Sequence, residues 1–232
     1  MIVNPATNTI FLECPKTGST SIRIAYITRH GEPRYHNVWT HCRIKELDRV
    51  FKRYFVDLTL ADYQTYCFYR DPVERFVSGW RYSISQWEIA RTLPTANRSV
   101  YLKAAAIIFL MRGLPFDKEV KPSLDDVTLD EYIRLNELGL PFPTHELVGP
   151  QTYYFNEGTT LLDFSNYEQE YLKLIPLLDL APIPEGGTVP KANATNALEY
   201  MSQLTPTQTE RIKAFYADDY AAFSTRGITF VN

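Results

Sequence analysis

Apolar residues form a short run at Thr9-Ile10-Phe11-Leu12, after which a turn containing Pro15 and Gly18 leads into a segment whose apolar positions recur at helical spacing. That strand-then-helix pattern repeats along the chain. It predicts strands at 9–13, 64–69 and near 160–164. Helices are predicted at 19–29, around His41 to Val50, from Pro72 to about Arg91, and near 99–112, 128–138, 167–178 and 205–223. Such alternation argues for an α/β fold, a central parallel sheet flanked by helices, with no internal repeat to suggest an array. Pro-containing segments at 113–123, 141–150 and 181–190 read as loops, where ligand recognition most often sits.

Composition adds limits. With 232 residues and 45% hydrophobic content the chain buries a full core as one domain, 1–232, without disulfides. Cys14, Cys42 and Cys67 are odd in number and widely spaced, which indicates buried free thiols rather than a disulfide framework or a zinc site. No signal peptide or anchor is visible. The most apolar run, Ala104 to Met111, is far below spanning length, so a cytoplasmic protein without a membrane span is expected. Net charge is only −3 but unevenly placed: residues 1–121 hold 18 basic and 11 acidic groups, and the remainder reverses the balance. No basic stripe with interleaved aromatics accompanies it, so nucleic acid is not an expected partner.

The basic half contains two anion-binding patterns. In Pro15-Lys16-Thr17-Gly18-Ser19-Thr20-Ser21, a strand stops at a turn and a helix begins, so backbone N–H groups and the positive end of the helix face the gap. Lys16 adds a mobile charge, and the hydroxyls of Thr17, Ser19, Thr20 and Ser21 add short donors. A phosphate or a sulfate ester fits such a loop. The loop is not a Walker A motif, which needs its lysine after the second glycine, so an ordinary ATP or GTP enzyme is disfavoured.

The second pattern is Arg70-Asp71-Pro72-Val73-Glu74-Arg75-Phe76-Val77-Ser78. Arg70 sits at the carboxyl end of a strand, where open parallel sheets bind ligands. Asp71 and Pro72 then start a helix, on which Ser78 lies about 9 Å beyond Pro72. Arg75, one turn inside that helix, either braces the site or contributes to it.

Taken together, these segments resemble the PAPS-dependent sulfotransferases of the carbohydrate type, the sulfotransferase family 2-like proteins. PAPS, 3′-phosphoadenosine 5′-phosphosulfate, is the activated sulfate donor. The resemblance implies a P-loop-like, three-layer sulfotransferase fold. It also implies a loop from Lys16 to Ser21 gripping the 5′ end of the donor, and Arg70 and Ser78 on its 3′-phosphate. Weaker similarity extends to Leu161–Glu168, to Val189–Thr195, whose Lys191 and Asn193 match a loop near the donor, and to the segment from Leu204 to Phe223. Golgi members of the family carry an amino-terminal anchor. This chain departs from them and looks like a stand-alone catalytic domain of a bacterium or a virus of bacteria.

The reaction implied is sulfuryl transfer from PAPS to an acceptor hydroxyl, or an amine, with Lys16 stabilising the leaving phosphate and no metal required. A histidine suits the proton abstraction, and the chain offers His30, His36, His41 and His145. His41, between the two donor motifs where related enzymes place a histidine, is the first choice and His36 the second; His145, Glu146 and Glu13 are further candidates. Residues 81–121 carry 7 basic and 3 acidic groups, which permits an anionic glycan as acceptor. Two other classes stay open: a nucleotide-dependent phosphotransferase on a P-loop-like fold, and a non-catalytic module that binds PAPS or glycans. Oligomeric state is not legible in the sequence.

Overall fold

Strand β2 (Thr9–Leu12) is buried at all four positions, as the near-continuous apolar run demands of a strand covered on both faces. The computed structural model describes residues 1–31, 41–92, 127–139, 148–191 and 197–230. Four strands form one sheet in the order β1 (Ile2–Asn4), β2, β3 (Gln64–Tyr69), β4 (Thr160–Asp163). Strands β2, β3 and β4 run parallel, whereas β1 pairs with β2 antiparallel, Ile2 opposite Phe11. The expected central parallel sheet is formed by β2, β3 and β4, and β1 adds an antiparallel edge. The three-residue β1 is too short to leave a periodic signal, and it closes the edge through an antiparallel turn.

The described helices are α1 (Ser19–His30), α2 (Ile44–Tyr54), α3 (Pro72–Thr92), α4 (Leu129–Glu137), α5 (Tyr167–Leu178), α6 (Ala197–Met201), α7 (Pro206–Phe215) and α8 (Ala217–Ser224). The predicted helix at 205–223 is therefore two helices, interrupted at Tyr216, whose buried hydroxyl donates to the Val148 carbonyl. Helix α6 had no counterpart in the sequence reading. The predicted helix near 99–112 and the loop at 113–123 lie outside the described residues, as does most of the loop at 141–150.

Contacts divide the chain into two compact units. The first comprises Met1–Asp71, Pro150–Ala194 and Ala221–Asn232, and it holds the sheet. Side chains alternate across that sheet with period two. Phe11, Phe68 and Leu162 pack on Ile22 and Ala25 of α1 and on Tyr167, Tyr171, Leu174 and Leu178 of α5. Ile10, Leu12 and Cys67 pack instead on Leu47, Val50 and Phe51 of α2 and on Phe223. Helices thus flank the sheet. The second unit, Pro72–Gly149 with Thr195–Tyr220, is helical among the described residues, around Val73, Phe76, Tyr132, Ile133, Ile212 and Tyr216. Gly79 of α3 lets Val148 approach so closely that a Cβ there would fall 2.4 Å from its side chain.

Pairing sets the site. Leu12 lies opposite Cys67 and Cys67 opposite Leu161, so the carboxyl ends of the parallel strands stand side by side. Phe68 anchors this arrangement from below, in edge-on contact with Phe11 at 6.0 Å and Phe164 at 6.5 Å, and 5.3 Å from Tyr167. Phe68→Ala is expected to cost about 3–5 kcal/mol of stability, read as a lowered urea midpoint; a loss below about 1 kcal/mol would mean that this cluster does not hold the strands.

Candidate functional site

The segment between β2 and α1 closes on itself before it meets any ligand. Lys16 takes a left-handed backbone conformation, φ +64°, and Gly18, the residue before α1, takes φ +78°. The Thr17 hydroxyl, fully buried, donates to the Cys14 carbonyl at 2.8 Å and so braces the turn from inside. At Gly18 a side chain has no room: a Cβ would stand 2.6 Å from the Tyr167 ring and 3.1 Å from Phe164. The Tyr167 hydroxyl donates to the Gly18 carbonyl at 3.4 Å and also meets the Ser21 hydroxyl. Ser19 and Ser21 are buried, and Thr20 is half-buried.

Arg70 enters from the end of β3. Its guanidinium donates through Nη1 to the Lys16 carbonyl at 3.0 Å and lies over the Phe164 ring, 4.5 Å from its centre. Its backbone is clamped by the amide of Gln151, which accepts from the Arg70 N–H at 3.0 Å and donates to the Arg70 carbonyl at 2.8 Å. Two segments 54 residues apart are thereby joined at one point. Burial, and then the nearby Arg70 charge, push the Lys16 ammonium down to about 8. Two cations held this way make a site that gains from an incoming anion.

His41 stands beside the end of β2, next to Glu13. Also in a left-handed conformation, φ +60°, it places Nδ1 2.7 Å from the Glu13 backbone carbonyl. A carbonyl only accepts, so Nδ1 carries the proton and Nε2 keeps its lone pair. Burial outweighs the bond to Glu13 and holds the ring below the ordinary histidine range, so it is neutral at neutral pH. Non-glycine residues in this backbone region cluster at functional sites. The Glu13 side chain, although buried, is not a free base: it pairs with the Met1 ammonium and with Arg23 Nε at 2.6 Å. Burial raises its pKa, but these two cations outweigh that and hold the carboxyl below its usual range. Burial pushes the neighbouring Cys42 thiol up to about 11, so it is no nucleophile.

The remaining predicted residues are distributed as follows. Ser78 lies on α3 in the second unit, buried. Arg75, fully buried there, donates to the carbonyls of Val148 and Gly149 and lies 5.3 Å from the Tyr216 ring centre. Lys191 is exposed and pairs with Glu168 at 2.9 Å. His30 closes the far end of α1, with Nε2 2.8 Å from the Asp179 carbonyl, away from the loop. His36, His145, Glu146 and Asn193 lie outside the described residues. Among the described residues no group of three or more His, Cys, Asp or Glu side chains is placed to hold a metal ion, and no helix is long and apolar enough to cross a membrane.

Sequence reasoning missed three parts of this arrangement: the Gln151 clamp, the Phe164 and Tyr167 plate beneath Arg70 and Gly18, and the ion pairs that occupy Glu13. Phe164 and Tyr167 fall in a segment whose resemblance was noticed, but no spacing rule tells that two aromatics support a loop almost 150 residues away. At pH 7.5 the His41 ring is expected to be neutral with its proton on Nδ1, read by long-range proton–nitrogen NMR. A titration at or above the ordinary 6.5, or a proton on Nε2, contradicts the geometry.

No curated protein and no solved structure matches the chain significantly. The model of the Sulfotransferase family matches residues 1–136, more than half of the chain, a stretch that includes Lys16, His41, Arg70 and Ser78. With the loop that carries Lys16 and the strand end that carries Arg70 both inside the matched region, this chain belongs to the Sulfotransferase family, of the family 2-like type.

Proposed function

We propose that residues 1–232 form one sulfotransferase domain that moves a sulfuryl group from PAPS to an acceptor hydroxyl, with a carbohydrate as the favoured acceptor class. The observation that carries this reading is the bond from Arg70 to the Lys16 carbonyl, which puts two cations beside each other at the strand ends of a family member. When bound, the donor supplies a sulfuryl group on a phosphate leaving group. In this reading the loop from Lys16 to Ser21 holds the 5′ end. Arg70, with Ser78, holds the 3′-phosphate, and Lys191 and Asn193 border the donor.

His41 is proposed as the base, with His36 the alternative. Its free Nε2 takes the proton of the acceptor hydroxyl, the oxygen bonds to sulfur, and the bond from sulfur to the 5′-phosphate oxygen breaks. Negative charge then collects on that oxygen, where the Lys16 ammonium stabilises it. No step calls for a metal. The low pKa of Lys16 gives the site a pH dependence with a definite sign. In the free protein the ammonium is lost above about 8, whereas a bound anion favours the charged form.

Arg70→Ala is expected to weaken binding of adenosine 3′,5′-bisphosphate about 10- to 100-fold, measured by calorimetry, and Lys16→Ala to lower kcat about 100-fold or more. Wild-type binding and turnover in both variants would overturn the assignment. Between pH 7 and 9.5 the wild-type affinity for the bisphosphate is expected to fall by up to about tenfold per pH unit above 8. The same profile should be flat in Lys16→Ala, and a flat wild-type profile would remove Lys16 from the anion site.

A further inference from the structure

The pairing of β3 with β4 ends at Tyr69, opposite Asp163, so Arg70 is the first residue beyond the ladder. Arg70 is nevertheless buried, and buried backbone needs partners for its N–H and its carbonyl. The side chain of Gln151 meets both, accepting from the N–H at 3.0 Å and donating to the carbonyl at 2.8 Å. A backbone N–H only donates and a carbonyl only accepts, so a single orientation of the amide fits. One side chain thus extends the ladder by a residue, in the place of a peptide group from a neighbouring strand.

The clamp is itself anchored. Gln151 is buried and opens the 3-10 turn Gln151–Tyr153, which the chain enters through Pro150, and its carbonyl accepts the Tyr154 N–H at 2.8 Å. Tyr154 and Phe155 then run into the core beside Cys67 and Phe223. The amide therefore has a fixed origin, and the Arg70 backbone takes its direction from it. With the backbone held, the guanidinium reaches the Lys16 carbonyl through Nη1 and lies over the Phe164 ring. A planar guanidinium grips a phosphate well only when its fork of donors is presented at the right angle. A backbone rotation at Arg70 would misplace that fork.

We propose that Gln151 is a positioning residue for donor specificity: by bonding both backbone groups of Arg70 it aims the guanidinium at a 3′-phosphate, and so separates nucleotides that carry one from nucleotides that do not. The inference rests on the donor reading above and adds to it a residue that does not itself touch the ligand. The role needs an amide. An ionised glutamate only accepts, and a methionine of similar size makes neither bond.

The test compares adenosine 3′,5′-bisphosphate with adenosine 5′-monophosphate, which lacks only the 3′-phosphate, by calorimetry on the full chain. The wild type should favour the bisphosphate about tenfold or more. In Gln151→Met that preference should fall at least about fivefold. Affinity for the monophosphate should stay within about threefold, because the loop from Lys16 to Ser21 keeps its own braces at Thr17 and Gly18. Gln151→Glu keeps one of the two bonds and is the milder variant; its preference should fall in the same sense. Added to Arg70→Ala, Gln151→Met should reduce the preference no further, since the two residues act as one unit. In the free protein, exchange of the Arg70 amide hydrogen should quicken about tenfold or more in Gln151→Met. A preference that survives in both Gln151 variants, an equal loss for the two nucleotides, additive losses in the double variant or unchanged exchange at Arg70 overturns the proposal and leaves the donor reading standing. A wild type that binds the two nucleotides equally fails the donor reading, and this proposal with it.

Discussion

One hydrogen bond organises the site: the donation from the Arg70 guanidinium to the Lys16 carbonyl. The Lys16 backbone that presents this carbonyl is left-handed, a conformation that costs a non-glycine residue free energy and persists only when its surroundings impose it. The surroundings do so from three sides. Thr17 pins the turn internally, Tyr167 and Phe164 press on Gly18, and Gln151 holds the Arg70 backbone in place. Each constraint comes from a different strand end or from the turns beside it. The parallel register of β2, β3 and β4 is what makes them converge.

The same logic explains the electrostatics. Burying a lysine beside an arginine disfavours the charged form, and both burial and the Arg70 charge lower the Lys16 pKa. In the proposed donor site a ligand carrying negative charge would favour the charged lysine. Glu13 shows the opposite arrangement. Its carboxylate is neutralised by Arg23 and by the Met1 ammonium, which leaves its backbone carbonyl to orient His41. One residue thus contributes nothing as a base and everything as a fixed acceptor.

Much of this was legible in the sequence, and the failures have physical causes. Strands β2, β3 and β4 and helices α1, α3 and α5 follow from apolar runs and helical periodicity, because each buries a broad face. Strand β1 was missed because three residues give no period, and the break between α7 and α8 because the hydrogen bond of Tyr216 is a tertiary contact. At the site, Lys16 and Arg70 were visible because the phosphate-type loop and the strand-end arginine are local patterns. The contacts of Gln151 and Phe164 with Arg70 were not, since they join partners about 80 to 94 residues apart. Glu13 looked like a candidate base for the same reason: its neutralising cations are not its neighbours in sequence.

The account stands on Lys16 and Arg70 acting on the two ends of one bisphosphate, and a crystal structure with adenosine 3′,5′-bisphosphate bound tests that most directly. The account predicts the 5′-phosphate against the loop from Lys16 to Ser21 with the Lys16 ammonium in contact, the 3′-phosphate within hydrogen-bond distance of Arg70, and His41 Nε2 facing the open side beyond the 5′ end. A bisphosphate bound elsewhere, or one whose 3′-phosphate has no contact with Arg70, would contradict it.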